Sequence, residues 1–220
     1  MIRRVALGTF AIGFLVAAGA LAPARAQETR LIGRLSDPAR ARVDGILDGA
    51  RADRLPTEPV VDRALEGLAK RAPEAVIVAA VTRLVGELRV ARHAFGETAS
   101  AAELTAGASA LRAGATRADL TRLRELRPDQ PLTIAAGVLA DLVAAGVPAD
   151  TGIAAVLALA SNTADADYVA FRRNVEQDIA LGASPASSIG ARLRAVAGMA
   201  DESTSQSGSG STSGSRKRKP

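Results

Sequence analysis

Residues 55–73 read LPTEPVVDRALEGLAKRAP, and this one stretch both opens and closes a helix. Thr57 stands where an N-cap belongs. Glu58 and Pro59 follow in a first turn, where a carboxylate meets the positive end of the helix dipole and a missing proline N–H costs nothing. Val60, Val61, Ala64, Leu65 and Leu68 form an apolar stripe at helical spacing. Lys70 and Arg71 sit at the negative end, and Pro73 opens the next helix. The same order of cap, stripe, stop and restart recurs to residue 199, so the chain is expected to be helical throughout.

Upstream, Asp37-Pro38 reads as N-cap and N1 of a first helix with Val43, Ile46, Leu47 and Ala50 inward, and Leu31, Ile32 and Leu35 lead into it. Downstream, Ile77, Val81, Leu84, Leu88, Ala91 and Phe95 alternate by four and three, which predicts a helix of about 22 residues. Ser100 to Glu103 fits the S-x-x-E capping box, and Thr116 to Asp119 repeats it with a shorter acid. Four further stripes follow. Leu132 to Val143 is the first; Ile153 to Ala160 comes next; Tyr168 to Ile179 is expected to be capped by Asn162 or Thr163; and Ile189 to Val196 opens at Ser184-Pro185. No window shows the period-two alternation and hairpin turns of strands.

The stops are themselves periodic. Gly114-Ala115-Thr116, Gly146-Val147-Pro148 and Gly182-Ala183-Ser184 lie roughly 35 residues apart with two helices in each interval, and Arg71-Ala72-Pro73 is a degenerate earlier copy. A hairpin of this kind cannot bury its stripe alone, so neighbours must stack. The expected fold is all-α, about nine helices as stacked antiparallel hairpins of α-solenoid type over residues 27–200, with the last helix as a cap. An irregular helical bundle is the alternative.

The two ends differ from this middle. Residues 1–26 carry Arg3 and Arg4, an apolar run from Val5 to Leu21, and the small-x-small triplet Ala24-Arg25-Ala26. That is the pattern of a secretory signal peptide cleaved before Gln27, which would place the mature chain in the periplasm or outside the cell. Residues 201–220 shift to Ser, Gly and Thr and end in RKRKP, the composition of a flexible tail. The formal charge of +5 belongs to these ends: without Arg3, Arg4, Arg25, the C-terminal cations and the acids Asp201 and Glu202, residues 27–200 are neutral. A nucleic-acid surface on the folded part is therefore not expected. With no cysteine, stability must come from buried apolar surface rather than disulfides. Outside the first 26 residues the only aromatics are Phe95, Tyr168 and Phe171, too few for a stacking cleft for sugars or single-stranded nucleic acid.

Four features bear chemistry. Glu58, Asp62 and Glu66 lie one turn apart on one helix face, where they could meet a partner, hold a divalent cation or supply an acid–base pair. Arg63 and Lys70 stand three residues before and four after Glu66, so pairing within the helix is the simpler expectation there. His93, the only histidine, falls off the Ile77-to-Phe95 seam beside Arg92, and Arg117, Arg122, Arg124 and Arg127 could receive an anion, though Asp119 and Glu125 interleave with them. Finally, Arg216, Lys217, Arg218 and Lys219 on a flexible tether could touch an anionic envelope surface. Phosphate-loop, dinucleotide, nucleophile-elbow and metal motifs are absent from the sequence, so no cofactor, metal site or catalytic residue is expected.

The segment LPTEPVVDRALEGLAKRAP, with ALRAGAT at 110–116 and VLADLVAAGVP at 138–148, resembles a group of uncharacterised exported bacterial helical proteins that share an LPTEPxVxxALEG-type segment. The resemblance spans most of the chain after residue 26 and implies the helical architecture. It carries no functional residue. The functional expectation is an exported, non-catalytic helical interaction or scaffold module of the cell envelope, binding a protein or envelope component. An envelope hydrolase using a carboxylate pair from the Glu58 row, or a structural stress-related protein, are the alternatives.

Overall fold

The computed structural model describes residues 31, 33–161 and 163–208. The leader expected over 1–26 and the cations Arg216 to Lys219 lie outside the described residues. Among those described there are nine helices and no strand: α1 (Asp37–Ala52), α2 (Glu58–Ala69), α3 (Glu74–Phe95), α4 (Ala101–Arg112), α5 (Arg117–Leu126), α6 (Thr133–Ala144), α7 (Ala149–Leu159), α8 (Asp165–Ala180) and α9 (Pro185–Gly208). No helix among them is long and apolar enough to cross a membrane. Helix α9 continues to Gly208, past residue 200 where the composition changes.

The helices stack in two layers. In one layer α1 touches α3, α3 touches α5, α5 touches α7 and α7 touches α9; in the other, α4 touches α6 and α6 touches α8. Contact between every second helix is what stacked hairpins require, and the hairpin pairs α2–α3, α3–α4, α6–α7 and α8–α9 join the layers. One core cluster runs the length of the stack, from Leu31 and Leu35 through the α3 seam to Tyr168, Phe171 and Val175. At the far end Ile189 is buried and Leu193 and Val196 pack against the cluster, so α9 covers the last hairpin.

The recurrent stop has a common geometry. Gly114, Gly146 and Gly182 have φ of 111°, 92° and 96°, and the non-glycine residues Arg54 and Arg71 enter the same left-handed region at 55° and 54°. In each case the following amide bonds back to the last turn, as Ala115 N to Ala110 O at 3.0 Å, Val147 N to Leu142 O at 3.0 Å and Ala72 N to Gly67 O at 2.9 Å. This is the Schellman closure, and the buried Leu55, Ala115 and Val147 supply its apolar contact. Arg71 is thus a true copy of the glycine stop, and Arg54 is a further copy that its side chain conceals in the sequence.

Several caps depart from expectation. Ser36, not Asp37, is the N-cap of α1. Its N–H and hydroxyl both donate to the Glu74 carboxylate of α3, at 2.7 and 2.6 Å, so the α1 terminus is satisfied by the next helix of its own layer. Thr57 occupies the N-cap of α2 but makes no side-chain cap bond, because its backbone is already helical. Ala164 rather than Thr163 caps α8, and the end is held from inside by Asp167, which accepts from the Ala164 N–H at 2.8 Å. The capping boxes Ser100–Glu103 and Thr116–Asp119 both form as expected.

Candidate functional site

The first half of α2, α4 as far as Ser109 and α6 as far as Asp141 border a groove of about 660 Å³. One wall is α2, which contributes Pro56, Pro59 and the carboxylates of Glu58 and Asp62. The floor is α4, where Ala101, Ala102, Thr105, Ala106 and Ser109 present a row of small side chains opposite its buried Leu104 and Ala108. The far wall is α6, with Thr133, Gly137, Ala140 and Asp141. The Thr105 and Ser109 hydroxyls turn back to carbonyls one turn earlier, at 2.8 and 3.0 Å, so the floor is smooth as well as shallow. No lysine, arginine or histidine lines the groove.

The acidic row of α2 is divided by this geometry. Glu58 and Asp62 are exposed groove residues, and Asp62 makes no ion pair among the described residues. Glu66 is spoken for: Lys70 donates to Oε1 at 2.6 Å and Arg63 to Oε2 at 2.8 Å. The Lys70 bond first, then the Arg63 charge, holds its carboxyl below the ordinary value. Asp141 on the far wall accepts from Arg172 of α8 at 2.8 Å. Among the described residues no group of three or more His, Cys, Asp or Glu side chains could hold a metal ion.

The α5 arginines do not form an anion-receiving face. Arg122 is exposed and pairs with Glu125 at 3.1 Å. Arg124 and Arg127 instead turn inward, where each closes a polar knot. Glu103, only 8% exposed, accepts from Ser100 N–H and hydroxyl at 2.9 Å each, from Leu132 N–H at 3.1 Å and from Arg124 at 2.7 Å. Burial pushes the Glu103 pKa up, but the backbone donors of Ser100 and Leu132, the Ser100 hydroxyl and Arg124 together overcome this and hold it below 4.5. Arg124 lies 5.8 Å from the Phe95 ring centre and also donates to the Arg127, Pro128 and Gln130 carbonyls.

Arg127 is 1% exposed. It donates to Thr163 O at 2.9 Å and Asp165 Oδ1 at 2.6 Å, and stacks over Tyr168 at 5.1 Å. Its Nε has no hydrogen-bond partner, and the aromatic face is the compensation on offer. Burial raises the Tyr168 pKa above 10.0, and its hydroxyl donates to Val156 O at 3.0 Å. Apart from the Nε atoms of the two arginines, the knots' charged groups are taken up by protein partners, and they tie α4 to α5 and α6, and α5 to α8. His93 is an exposed residue near the end of α3.

Sequence pattern alone did not find Asp141 or the α4 floor. The signal was present as small residues at 101, 105 and 109, which repeat every four positions on the face opposite the Leu104 stripe. Only the stacking shows that α4 lies between α2 and α6. No family model, curated protein or solved structure matches the chain.

Proposed function

We propose that this protein is an exported, non-catalytic interaction module that holds a cationic segment of a partner protein in the groove across α2, α4 and α6. The supporting observation is the contrast in use of polar groups: the buried carboxylate Glu103 is spent on protein donors, whereas Asp62 lies exposed on a wall with no cation beside it in the groove lining. The floor of alanine, threonine and serine lets a partner backbone approach closely without displacing any large side chain. Charge at such a rim gives selection and salt-sensitive encounter more than raw affinity.

An acid–base pair drawn from the same row is the weaker reading. A general acid at neutral pH needs a raised pKa, and Lys70 and Arg63 move Glu66 the other way. Export rests on the leader pattern of residues 1–26, and it predicts a mature chain whose mass begins at Gln27.

The test is site-directed photocrosslinking in intact cells, with the crosslinker at Ala102 on the groove floor or at Val76, which is 55% exposed on α3 in the other layer. The expected result is a basic segment of one protein captured from Ala102, not from Val76, and lost on Asp62→Arg. Capture from both positions alike, or capture indifferent to Asp62→Arg, would reject the groove as the binding surface.

A further inference from the structure

We infer that the groove has an occupant within its own chain: the basic C-terminal segment Arg216, Lys217, Arg218 and Lys219 lies across α4 and competes with the cationic segment of a partner. This rests on the proposed reading of the groove. Three observations carry it.

The first is direction. Arg124 near the end of α5 meets Glu103 in the first turn of α4, and Arg127 just after α5 meets Asp165 at the start of α8, so N-terminal ends of one layer share an edge with C-terminal ends of the other. Asp178 near the end of α8 binds Ser188 and Arg192 in the first half of α9, at 2.7 and 2.6 Å, so α9 runs antiparallel to α8 and heads for that same edge. With 24 residues against 16, α9 is about 36 Å long beside about 24 Å and overhangs there. The groove begins at this edge, beside Glu58, Ala101 and Thr133, and runs along α4 and α6 as far as Ser109 and Asp141.

The second is reach. From α9 the path to the groove floor crosses α8 and α6 to α4, and three helix packings of 8–10 Å make at most roughly 30 Å. The four cations stand eight to eleven residues past Gly208 and can reach up to about 26–36 Å from it. The third is charge. After Glu202 the printed sequence has no acid and carries four cations at 216–219, while no cation lines the groove and, of its carboxylates, Asp62 makes no ion pair among the described residues whereas Asp141 is paired with Arg172. Each exposed contact is weak and screened by salt, yet a short tether supplies a local concentration on the order of millimolar, enough to populate a weak intramolecular contact.

The absence of cysteine allows a clean test in the full chain. Ser215→Cys combined with Thr105→Cys is expected to oxidise to an intramolecular disulfide about tenfold faster than Ser215→Cys combined with Val76→Cys. Adding Asp62→Arg, or salt to about 0.5 M, should erase the difference, with helical circular dichroism showing that each variant is folded. Equal rates in the two pairs, insensitivity to Asp62→Arg, or a disulfide-linked dimer as the main product overturns the inference. A labelled peptide GSRKRKP, copied from residues 214–220, separates this inference from the function it rests on. It is expected to bind several-fold tighter to a chain with all four cations changed to serine than to the native chain. Equal binding to both removes the internal occupant and leaves the groove as a site for cationic segments. Binding to neither removes both.

Discussion

Glu103 and Asp62 are carboxylates in the N-terminal halves of α4 and α2, yet they meet opposite surroundings. Glu103 accepts four hydrogen bonds, two from Ser100, one from the Leu132 amide and one from Arg124. Asp62 stands on a groove wall with no ion pair among the described residues. What separates them is helix position and the next helix: Glu103 is the N3 residue of a capping box and receives Ser100 from its own turn and Arg124 from α5, whereas Asp62 lies a turn deeper in α2 on an exposed face, with no arginine brought to it among the described residues. A charge whose partners are all internal serves the fold. One left facing a groove is open to a ligand.

The largest consequence falls on Glu103. Glu103→Ala would leave the Arg124 guanidinium and the Leu132 amide short of an acceptor beneath the α4–α6 contact, and the pair is only partly reached by water. The expected loss is about 2–4 kcal/mol, below the full cost of breaking a deeply buried pair because Arg124 keeps three carbonyl acceptors. Urea unfolding measures it directly. A loss under about 1 kcal/mol would mean that the knot is ornamental.

The same carboxylate sets a pH dependence. Its folded pKa lies below 4.5, so the folded protein holds the proton less readily than the unfolded chain. Its contribution is complete above the ordinary carboxylate value and is lost as the pH falls through the lower folded value. Glu74, with Ser36 as donor, and Asp178, held by Arg192 and then Ser188, act with the same sign. Stability against urea should therefore fall as the pH drops below about 4.5, and fall less steeply in Glu103→Gln. An identical slope in that variant would move the acid sensitivity to other groups.

The helix stops show a smaller contrast of the same kind. At Gly114 a side chain would be held in the left-handed region with its Cβ 2.9 Å from that of Ala149. Gly114→Ala is expected to cost roughly 1–3 kcal/mol. At Arg71 the strain already exists, so Arg71→Gly should gain about 0.5 kcal/mol, the relief being partly offset by glycine's greater freedom when unfolded. If both changes destabilise equally, the two stops are not equivalent.

How much of this was legible depends on what kind of information each feature needs. The α3 seam, both capping boxes and the glycine stops are local: spacing and a few residue types determine them, and all appear where the sequence places them. Arg54 was missed as a stop because only its backbone, not its residue type, marks the turn. Ser36 was missed as a cap because its partner Glu74 is 38 positions away. Arg124 and Arg127 read as surface charges for the same reason: their acceptors come from α4 and α8, which local pattern cannot bring together. The groove was half visible, since Glu58 and Asp62 could be placed on one helix face but the α4 floor and Asp141 come from stacking.

The smallest effect on stability is expected where the effect on binding is largest. Asp62→Asn removes a charge that no ion pair among the described residues uses, so unfolding should shift by no more than about 0.5 kcal/mol. The same substitution should weaken binding of the GSRKRKP peptide by several-fold and flatten its salt dependence, because one of the groove carboxylates is gone. If Asp62→Asn instead destabilised the protein as Glu103→Ala does, Asp62 would belong with the internal knots. The groove would then lose the group that distinguishes it from an ordinary packing seam.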